Sequence, residues 1–360
     1  MRRTEKLSGM THFTAQGPSR HRRDPNAPPQ KPEGGYRARF PARRSYAALD
    51  LGTNNCRMLI ARPDGDQFFI VDAFSRIVRL GEGLGASGRL SEAAMDRTVA
   101  ALAVCAEKLM RRNVHLSRSV ATEACRRAAN GAEFVDRVYR ETGIKLDVIA
   151  AEEEARLAVV GCHRLLEDGD GPALVFDIGG GSTELVIVDT SGDEPRTLDW
   201  LSVPWGVVSL AESEGADPDC LDLRLSAYER MRTRVLDSFA EFAARQTFDG
   251  SNLRLLGTSG TVTTLASVHL GLPSYDRKMI DGLIVPSESM RGISAKLSRS
   301  SLSERAKLAC IGQERADLVV AGCAILEAIL DIWPAPRVGV ADRGIREGIL
   351  RQLMQLGART

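Results

Sequence analysis

The sequence predicts a duplicated α/β fold, in which two domains of similar design face each other across a cleft. Three observations support this fold class. The chain has 360 residues, which is enough for two domains of ordinary size. Each half begins with three strands and then alternates helices with strands. In each half the first strand ends in an aspartate and a glycine-containing turn, at residues 50–55 and 177–183.

The first domain is predicted over residues 46–166. Short apolar runs bounded by turn residues predict strands at 46–50, 56–62, 67–80, 119–122 and 145–150. The helical spacing of apolar residues predicts helices from Ser91 to about Arg112, over 133–142 and over 152–166. Ser91 is a favourable N-cap for the first of these helices, and Gly143 is a favourable stop for the second.

The second domain is predicted over residues 167–360 and repeats the same pattern. Strands are expected at 173–178, 185–189, 197–204, 253–257 and 337–341. Helices are expected over 218–245, after the turn at 257–261, and at the end of the chain. Because the two glycine-containing turns fall at matching places, we expect both to open into the cleft between the domains, a common position for a ligand.

The charge of the chain is unevenly distributed. The formal net charge is only +1, which argues against a dedicated nucleic-acid or membrane binder. Residues 1–45 nevertheless contain 11 Lys and Arg against three acids, a net charge of +8, so the rest of the chain is net acidic. This Pro-rich segment has no helical or strand period, and it is predicted to be disordered. A weak polyanion-binding arm is the alternative interpretation.

The cysteines and the hydropathy pattern indicate a cytoplasmic protein without a membrane partner. Seven scattered cysteines contain no CxxC pair, which suits reduced thiols and argues against a zinc ribbon. No apolar run approaches the ~18 residues that a transmembrane helix requires.

The two turns are chemically suited to bind phosphate. Glycines allow the backbone to approach a bulky anion and to direct N–H groups at it. Asp50 and Asp177 end hydrophobic strands, where a carboxylate is costly unless it is paired or near a metal. Mg²⁺ prefers carboxylates, waters and phosphate oxygens. The turns therefore predict two clamps on a phosphate chain, with Mg²⁺ or another divalent cation between them. Ordinary turns with solvated aspartates are the alternative, which the three glycines at 179–181 make less favourable.

Three further motifs are ambiguous on sequence alone. Residues 83–88 match GxGxxG, but they follow a third strand and do not open a β-α-β unit, so they predict a flexible loop and not a dinucleotide site. Glu152, Glu153 and Glu154 begin a helix, where acids favour the helix dipole, although one of them could be a general base. Arg126 and Arg127 follow a strand, where either could contact a phosphate or be solvated.

Taken together, these residues resemble the exopolyphosphatase / guanosine pentaphosphate phosphohydrolase family. The resemblance covers residues 46–356, essentially all of the predicted folded chain. It is carried by 48–54, 79–83, 121–126, 153–156, 177–184 and 257–261, with Asp342 and 346–348 near the end. The family lies in the actin, sugar kinase and heat-shock ATPase superfamily, which implies two ribonuclease H-like domains with an interdomain cleft. The Glu-Glu-Ala-Arg of 153–156, placed before the glycine-rich run at 177–184, is its most specific part.

The resemblance also implies roles for individual residues. Glu154 matches the general base that activates water, and Arg126 the arginine that contacts the terminal phosphate. Asp50, Asp177 and Glu184 match the acids that organise Mg²⁺ and the attacking water. The implied phosphate-binding residues lie in three loops: Gly52, Thr53 and Asn54; Gly179, Gly180, Gly181 and Ser182; and Gly257, Ser259 and Gly260.

The implied activity is Mg²⁺-assisted hydrolysis of the terminal phosphate of polyphosphate or the 5′ γ-phosphate of guanosine pentaphosphate (pppGpp), the latter linked to the stringent response. An ATP-dependent kinase or actin-like ATPase is the alternative, and a nucleotide-sensing protein without turnover is a third reading. The family also implies a homodimer. Two features depart from the family: Asp342 is followed by Arg343 where many members have glycine, and the chain matches the short, two-domain form.

Overall fold

A computed structural model describes residues 44–65, 67–169, 171–192, 195–215, 219–246 and 252–358. The predicted disordered segment, residues 1–45, lies outside the described residues except for its last two positions, of which Ser45 begins the first strand. The described chain forms two lobes, each built on one β-sheet.

The first lobe has a five-stranded sheet with the strand order β3-β2-β1-β4-β5. Its strands are β1 (Ser45–Leu51), β2 (Asn55–Asp64), β3 (Gln67–Ile77), β4 (Val114–Ala121) and β5 (Leu146–Val148). Its helices are α1 (Leu84–Ser87), α2 (Glu92–Arg111), α3 (Glu123–Arg127), α4 (Gly131–Thr142) and α5 (Ala151–Cys162), and α5 is followed by a single 3₁₀ turn.

The second lobe has a six-stranded sheet with the order β10-β11-β9-β6-β7-β8. Its strands are β6 (Ala173–Ile178), β7 (Thr183–Asp189), β8 (Arg196–Val203), β9 (Arg254–Thr258), β10 (Ile284–Pro286) and β11 (Arg337–Ala341). The helices that follow in the chain are α6 (Val207–Glu214), α7 (Leu221–Ala244), α8 (Ser259–His269), α9 (Arg277–Ile280), α10 (Ser287–Arg299), α11 (Leu302–Ala306), α12 (Val319–Ile332) and α13 (Ile345–Ala358).

The two sheets share one topology. In each sheet the first three strands in the chain are antiparallel neighbours. Two later strands run parallel to the first strand and continue the sheet on its other side, and the second sheet also has β10 at its edge. The register also matches, because Asp50 lies opposite Arg57 in β1–β2 and Asp177 lies opposite Glu184 in β6–β7. The predicted fold class, two duplicated ribonuclease H-like domains, is therefore confirmed.

Helix α5 lies at the junction of the two lobes. One side of it, with Leu157 and Ala158, packs with α13 against β1. Its other side, with Ala155 and Val159, packs on the second sheet against strands β6 and β7. A fully buried aliphatic side chain contributes roughly 1.5–3 kcal/mol, so this double burial holds the beginning of α5 firmly in place. Helix α13, which the sequence assigns to the second domain, packs on the first lobe.

The predicted helix ends are confirmed where a capping residue marks them. The Ser91 hydroxyl accepts a hydrogen bond from the Ala94 amide at 3.2 Å and caps α2, and Gly143 ends α4 in the left-handed conformation. The flexible loop expected at 83–88 is wrong. These residues form the one-turn helix α1, and Gly83 and Gly88 take positive φ angles at its two ends. Helix α6 and strand β10 were not predicted.

Candidate active site

Two short loops meet at the centre of the cleft. Residues 52–54 connect β1 to β2, and residues 179–182 connect β6 to β7. A Cβ atom built on Gly180 would lie 3.0 Å from the Asn54 amide nitrogen, and one built on Gly181 would lie 2.6 Å from Thr53 Oγ1. Gly180 is therefore required because the backbones of the two loops approach closely, and Gly181 because a Cβ atom there would collide with the Thr53 side chain.

Each loop is held by backbone hydrogen bonds from a neighbouring segment. In the first loop, the Asn54 carbonyl accepts from the amides of Val78 and Arg79, and the Thr53 carbonyl accepts from the Gly81 amide. In the second loop, the carbonyls of Gly179 and Gly180 accept from the first amides of α6, at 3.0 and 2.8 Å. The 79–83 motif and helix α6 thus position the two loops.

The loops line a cavity of about 110 Å³ between the lobes. Most of the predicted site residues line it: Asp50, Gly52, Thr53, Asn54, Glu154, Asp177, Gly179, Gly180, Gly181, Ser182, Glu184, Ser259 and Gly260. Two predicted residues lie behind its wall. Gly257 is inside β9, where an added Cβ would meet the Phe176 ring. Arg126 donates hydrogen bonds to Glu123 and Glu154, and both of these side chains line the cavity.

Glu154 is the buried carboxylate of the α5 N-terminus. The side chain of its neighbour Glu153 forms ion pairs with Arg156 and Arg118, whereas Glu154 is 7% exposed and lines the cavity. Arg126 donates to Glu154 Oε2 at 2.7 Å and to the Ile149 carbonyl at 2.8 Å, which fixes both side chains. Burial, opposed by the charge of Arg126, raises the pKa of Glu154 to about 7. A carboxylate with such a pKa can accept a proton near neutral pH.

Asp50, Asp177 and Glu184 form an acidic group that lines the same cavity as Glu154. The Oδ1 atoms of Asp50 and Asp177 are buried without a hydrogen-bond partner, whereas Glu184 accepts from the Ser202 hydroxyl at 2.8 Å. Burial raises the pKa of Asp50 to about 6 against the opposing charge of Arg57. Burial also raises the pKa of Asp177, and burial together with Glu154 and Asp177 raises the pKa of Glu184 well above its usual range. Neighbouring buried carboxylates ionise together more readily when a cation offsets their charge.

The acidic group does not enclose a metal ion by itself. Among the described residues, no three His, Cys, Asp or Glu side chains are placed to hold a metal ion together. Mg²⁺ commonly uses only one or two carboxylates and takes its other ligands from water and phosphate. The unpartnered oxygens of Asp50 and Asp177 fit that pattern.

The third predicted loop turns from β9 into α8 beside Asp177. Ser259 there has a φ of 74°, in the left-handed region that residues with a Cβ rarely adopt, and its hydroxyl lowers the pKa of Asp177 against the larger effect of burial. The Thr258 hydroxyl donates to the Arg343 carbonyl at 2.7 Å. Arg343, the departure noted in the sequence, donates to Asp281 at 2.6 Å and so lies in an ion pair within the second lobe.

Sequence reasoning missed two arginines of the cavity, Arg57 and Arg315. Burial lowers the pKa of Arg57, which lies directly across the strand pair from Asp50. Arg315 precedes α12 and donates to the Thr264 hydroxyl at 3.1 Å. The sequence does contain a signal for Arg57. Residues 50 and 57 flank the first turn, and residues 177 and 184 flank the equivalent second turn at the same spacing.

None of the helices in the described part of the chain combines the length and the apolar character needed to cross a bilayer.

Comparisons with known proteins agree with this geometry. The family model described as "Ppx/GppA phosphatase family" matches residues 59–356. A Haemophilus influenzae protein named as an exopolyphosphatase is 28% identical over 311 residues, covering 86% of this chain and 91% of that protein.

Solved structures give the same result. The crystal structure of the Aquifex aeolicus member of the Ppx/GppA family is 28% identical, has a TM-score of 0.70, and covers 88% of this chain and 99% of that one. An exopolyphosphatase from Cytophaga hutchinsonii is 25% identical, has a TM-score of 0.76, and covers 87% of this chain and 98% of that one. With the family model matched over most of its length, the chain belongs to the Ppx/GppA phosphatase family.

Proposed function

We propose that this protein hydrolyses phosphoanhydride bonds, releasing the terminal phosphate of inorganic polyphosphate or the 5′ γ-phosphate of guanosine pentaphosphate. The observation that carries the proposal is the placement of Glu154, a buried carboxylate with a pKa of about 7, in the same cavity as two glycine-rich loops. A base of this kind beside a phosphate cradle suits the activation of water.

In the proposed reaction Glu154 orients a water molecule and accepts its proton as the water attacks the terminal phosphorus. The water oxygen forms the new P–O bond, and the bond to the bridging oxygen of the shortened chain breaks. Arg126 keeps Glu154 in position through their 2.7 Å hydrogen bond. We infer that Arg126 exchanges its contact with Glu123, at 3.1 Å, for a phosphoryl oxygen when substrate binds.

The cavity also provides groups that would stabilise the negative charge of the substrate. Backbone amides of the two loops would donate to phosphate oxygens. Arg57 and Arg315 line the same cavity and would bind the remaining chain as charge-assisted hydrogen-bond donors. This concentration of cations explains how a net-acidic folded region could handle a polyanion.

Asp50 and Asp177 are the residues that would hold Mg²⁺, with Glu184 close by. A bound Mg²⁺ would offset the charge of the phosphate oxygens in the transition state. Because both carboxylates have raised pKa values, we expect cation binding to be coupled to release of protons from this group.

The test is phosphate release by the purified protein. Polyphosphate and guanosine pentaphosphate are offered side by side, with and without Mg²⁺, and free phosphate is followed. A parallel reaction contains ATP and small hydroxyl acceptors. Mg²⁺-dependent phosphate release from one or both of the first substrates supports the proposal. Transfer of the ATP γ-phosphate to an acceptor, without release from either substrate, would establish the kinase alternative.

Two further expectations concern the cellular compartment, which we expect to be the cytoplasm, and the oligomeric state. All seven cysteines are free thiols, five of them buried, which agrees with a reducing compartment such as the cytoplasm. A homodimer remains an expectation from the family, and sedimentation of the purified protein would test it.

A further inference from the structure

Arg79 connects the first phosphate-binding loop to the second lobe. Its backbone has a φ of 47°, a left-handed conformation that is unfavourable for a residue with a Cβ atom. The conformation is held in place by Arg97, whose side chain donates to the carbonyls of Val78 and Arg79, at 3.1 and 3.3 Å. In this conformation the Arg79 amide donates to the Asn54 carbonyl at 3.0 Å.

The Arg79 side chain crosses the cleft. It donates to both carboxylate oxygens of Asp317, at 2.8 and 3.3 Å, and to the Glu314 carbonyl at 3.2 Å. A second bond spans the lobes nearby, from the Gly83 amide to Glu212 Oε1 at 2.9 Å. One short segment, 79–83, therefore contacts the first loop through its backbone and the second lobe through hydrogen bonds to Asp317, Glu314 and Glu212.

Asp317 lies two residues after Arg315, which lines the cavity. Both belong to the turn that leads into α12, where the Arg315 carbonyl accepts from the amides of Leu318 and Val319. An ion pair that holds Asp317 therefore also holds the segment that carries Arg315 over the cavity.

We propose that Arg79 is a positioning residue, whose ion pair with Asp317 keeps the first phosphate-binding loop and Arg315 together across the cleft. This role rests on the proposed function, since it supposes that Arg315 binds the phosphate chain. The pair is bidentate but about one third exposed on each side, so its effect is moderate. It acts on substrate binding and not on the proton transfer at Glu154.

The test compares Asp317→Asn with the wild type. The variant keeps the shape of the side chain and removes its charge, and we expect the KM for polyphosphate to rise about three- to tenfold while kcat changes less than about twofold. Asp317→Glu, which restores the charge, should recover much of the affinity. The matched control is Asp199→Asn, which removes the bidentate partner of Arg245 within the second lobe and should leave KM unchanged.

A second readout does not depend on activity. Hydrogen exchange of the Gly83 amide reports the contact with Glu212 across the cleft. Exchange should become several times faster in substrate-free Asp317→Asn and stay at the wild-type rate in Asp199→Asn. Wild-type KM and wild-type Gly83 exchange in Asp317→Asn would overturn the proposal. If Asp317→Asn does not fold, Arg79→Lys replaces it, because lysine keeps the charge but loses the bidentate geometry. If the wild type hydrolyses neither substrate, the exchange comparison alone decides on the ion pair.

Discussion

Asp50→Asn should stabilise the protein at alkaline pH while abolishing most of its activity. The Asp50 carboxylate lies at the end of β1 with its Oδ1 atom buried and unpartnered. An ionised carboxylate in this position destabilises the fold, and the neutral amide of asparagine has nearly the same shape. Because Asp50 is also a proposed Mg²⁺ ligand, the same change should lower phosphate release.

The size of the effect follows from the pKa of Asp50, which burial raises from 3.8 to about 6. The folded protein therefore binds this proton more tightly than the unfolded chain, so the free energy of unfolding decreases as the pH rises from about 4 to about 6. Each pKa unit corresponds to about 1.4 kcal/mol, which makes the loss about 3 kcal/mol in total. Asp50→Asn lacks this loss. Its free energy of unfolding should therefore exceed that of the wild type by almost nothing at pH 4 and by about 3 kcal/mol at pH 8.

The assay is urea unfolding of both proteins at pH 4, 6 and 8 without divalent cations, and again at pH 8 with Mg²⁺. Binding of the ion to the folded wild type should narrow the gap at pH 8. Asp64→Asn, at an exposed position on β2, is the control and should change the free energy of unfolding by less than about 0.5 kcal/mol. The reasoning is refuted if Asp50→Asn is no more stable than the wild type at pH 8.

Further predictions concern the pH profile, the loop contact and the basic segment. Since burial raises the pKa of Glu154 to about 7, kcat/KM should increase with pH through that value and then level off, and a flat profile from pH 5 to 9 would contradict this. Gly181→Ala should raise KM about tenfold or more, because its Cβ would collide with Thr53; Gly292→Ala, in open space on α10, should leave the kinetics unchanged. Removing residues 1–43 should raise the KM for polyphosphate at low salt only, and an unchanged KM would leave that segment without a role in binding.

The duplicated fold could be predicted because its evidence is repeated within the chain. Buried strands that end in aspartate and a glycine-containing turn occur twice, and each strand pair places a charged residue opposite the aspartate. The N-cap at Ser91 and the stop at Gly143 were predictable for a similar reason, since both residue types act locally.

Features that depend on tertiary packing could not be predicted in the same way. Helix α6 has only eight residues, Val207–Glu214, and its N-cap Gly206 has no side chain to cap it, so the only local signal for its start is the Ser209 hydroxyl, which accepts from the Gly206 amide at 2.9 Å. The helix nevertheless holds the second phosphate loop. The packing of α13 on the first lobe depends on contacts distant in the chain.

The sequence left the role of Glu154 open between a helix-dipole partner and a base. Three acids in a row look alike, and only burial distinguishes them. Glu153 is paired with two arginines at the surface, whereas Glu154 faces the cavity. Arg57 likewise resembles a surface residue of an alternating strand until its position opposite Asp50 is known.

The central claim, that Glu154 is the base of a hydrolytic reaction, is tested most directly by comparing Glu154→Gln with Glu153→Gln. Both changes replace a glutamate in the first turn of α5 by its neutral isostere, and circular dichroism would show that both variants fold. Phosphate release from polyphosphate with Mg²⁺ should fall at least ~10²-fold in Glu154→Gln and stay within about threefold of the wild type in Glu153→Gln. Near-wild-type release by Glu154→Gln would contradict the account.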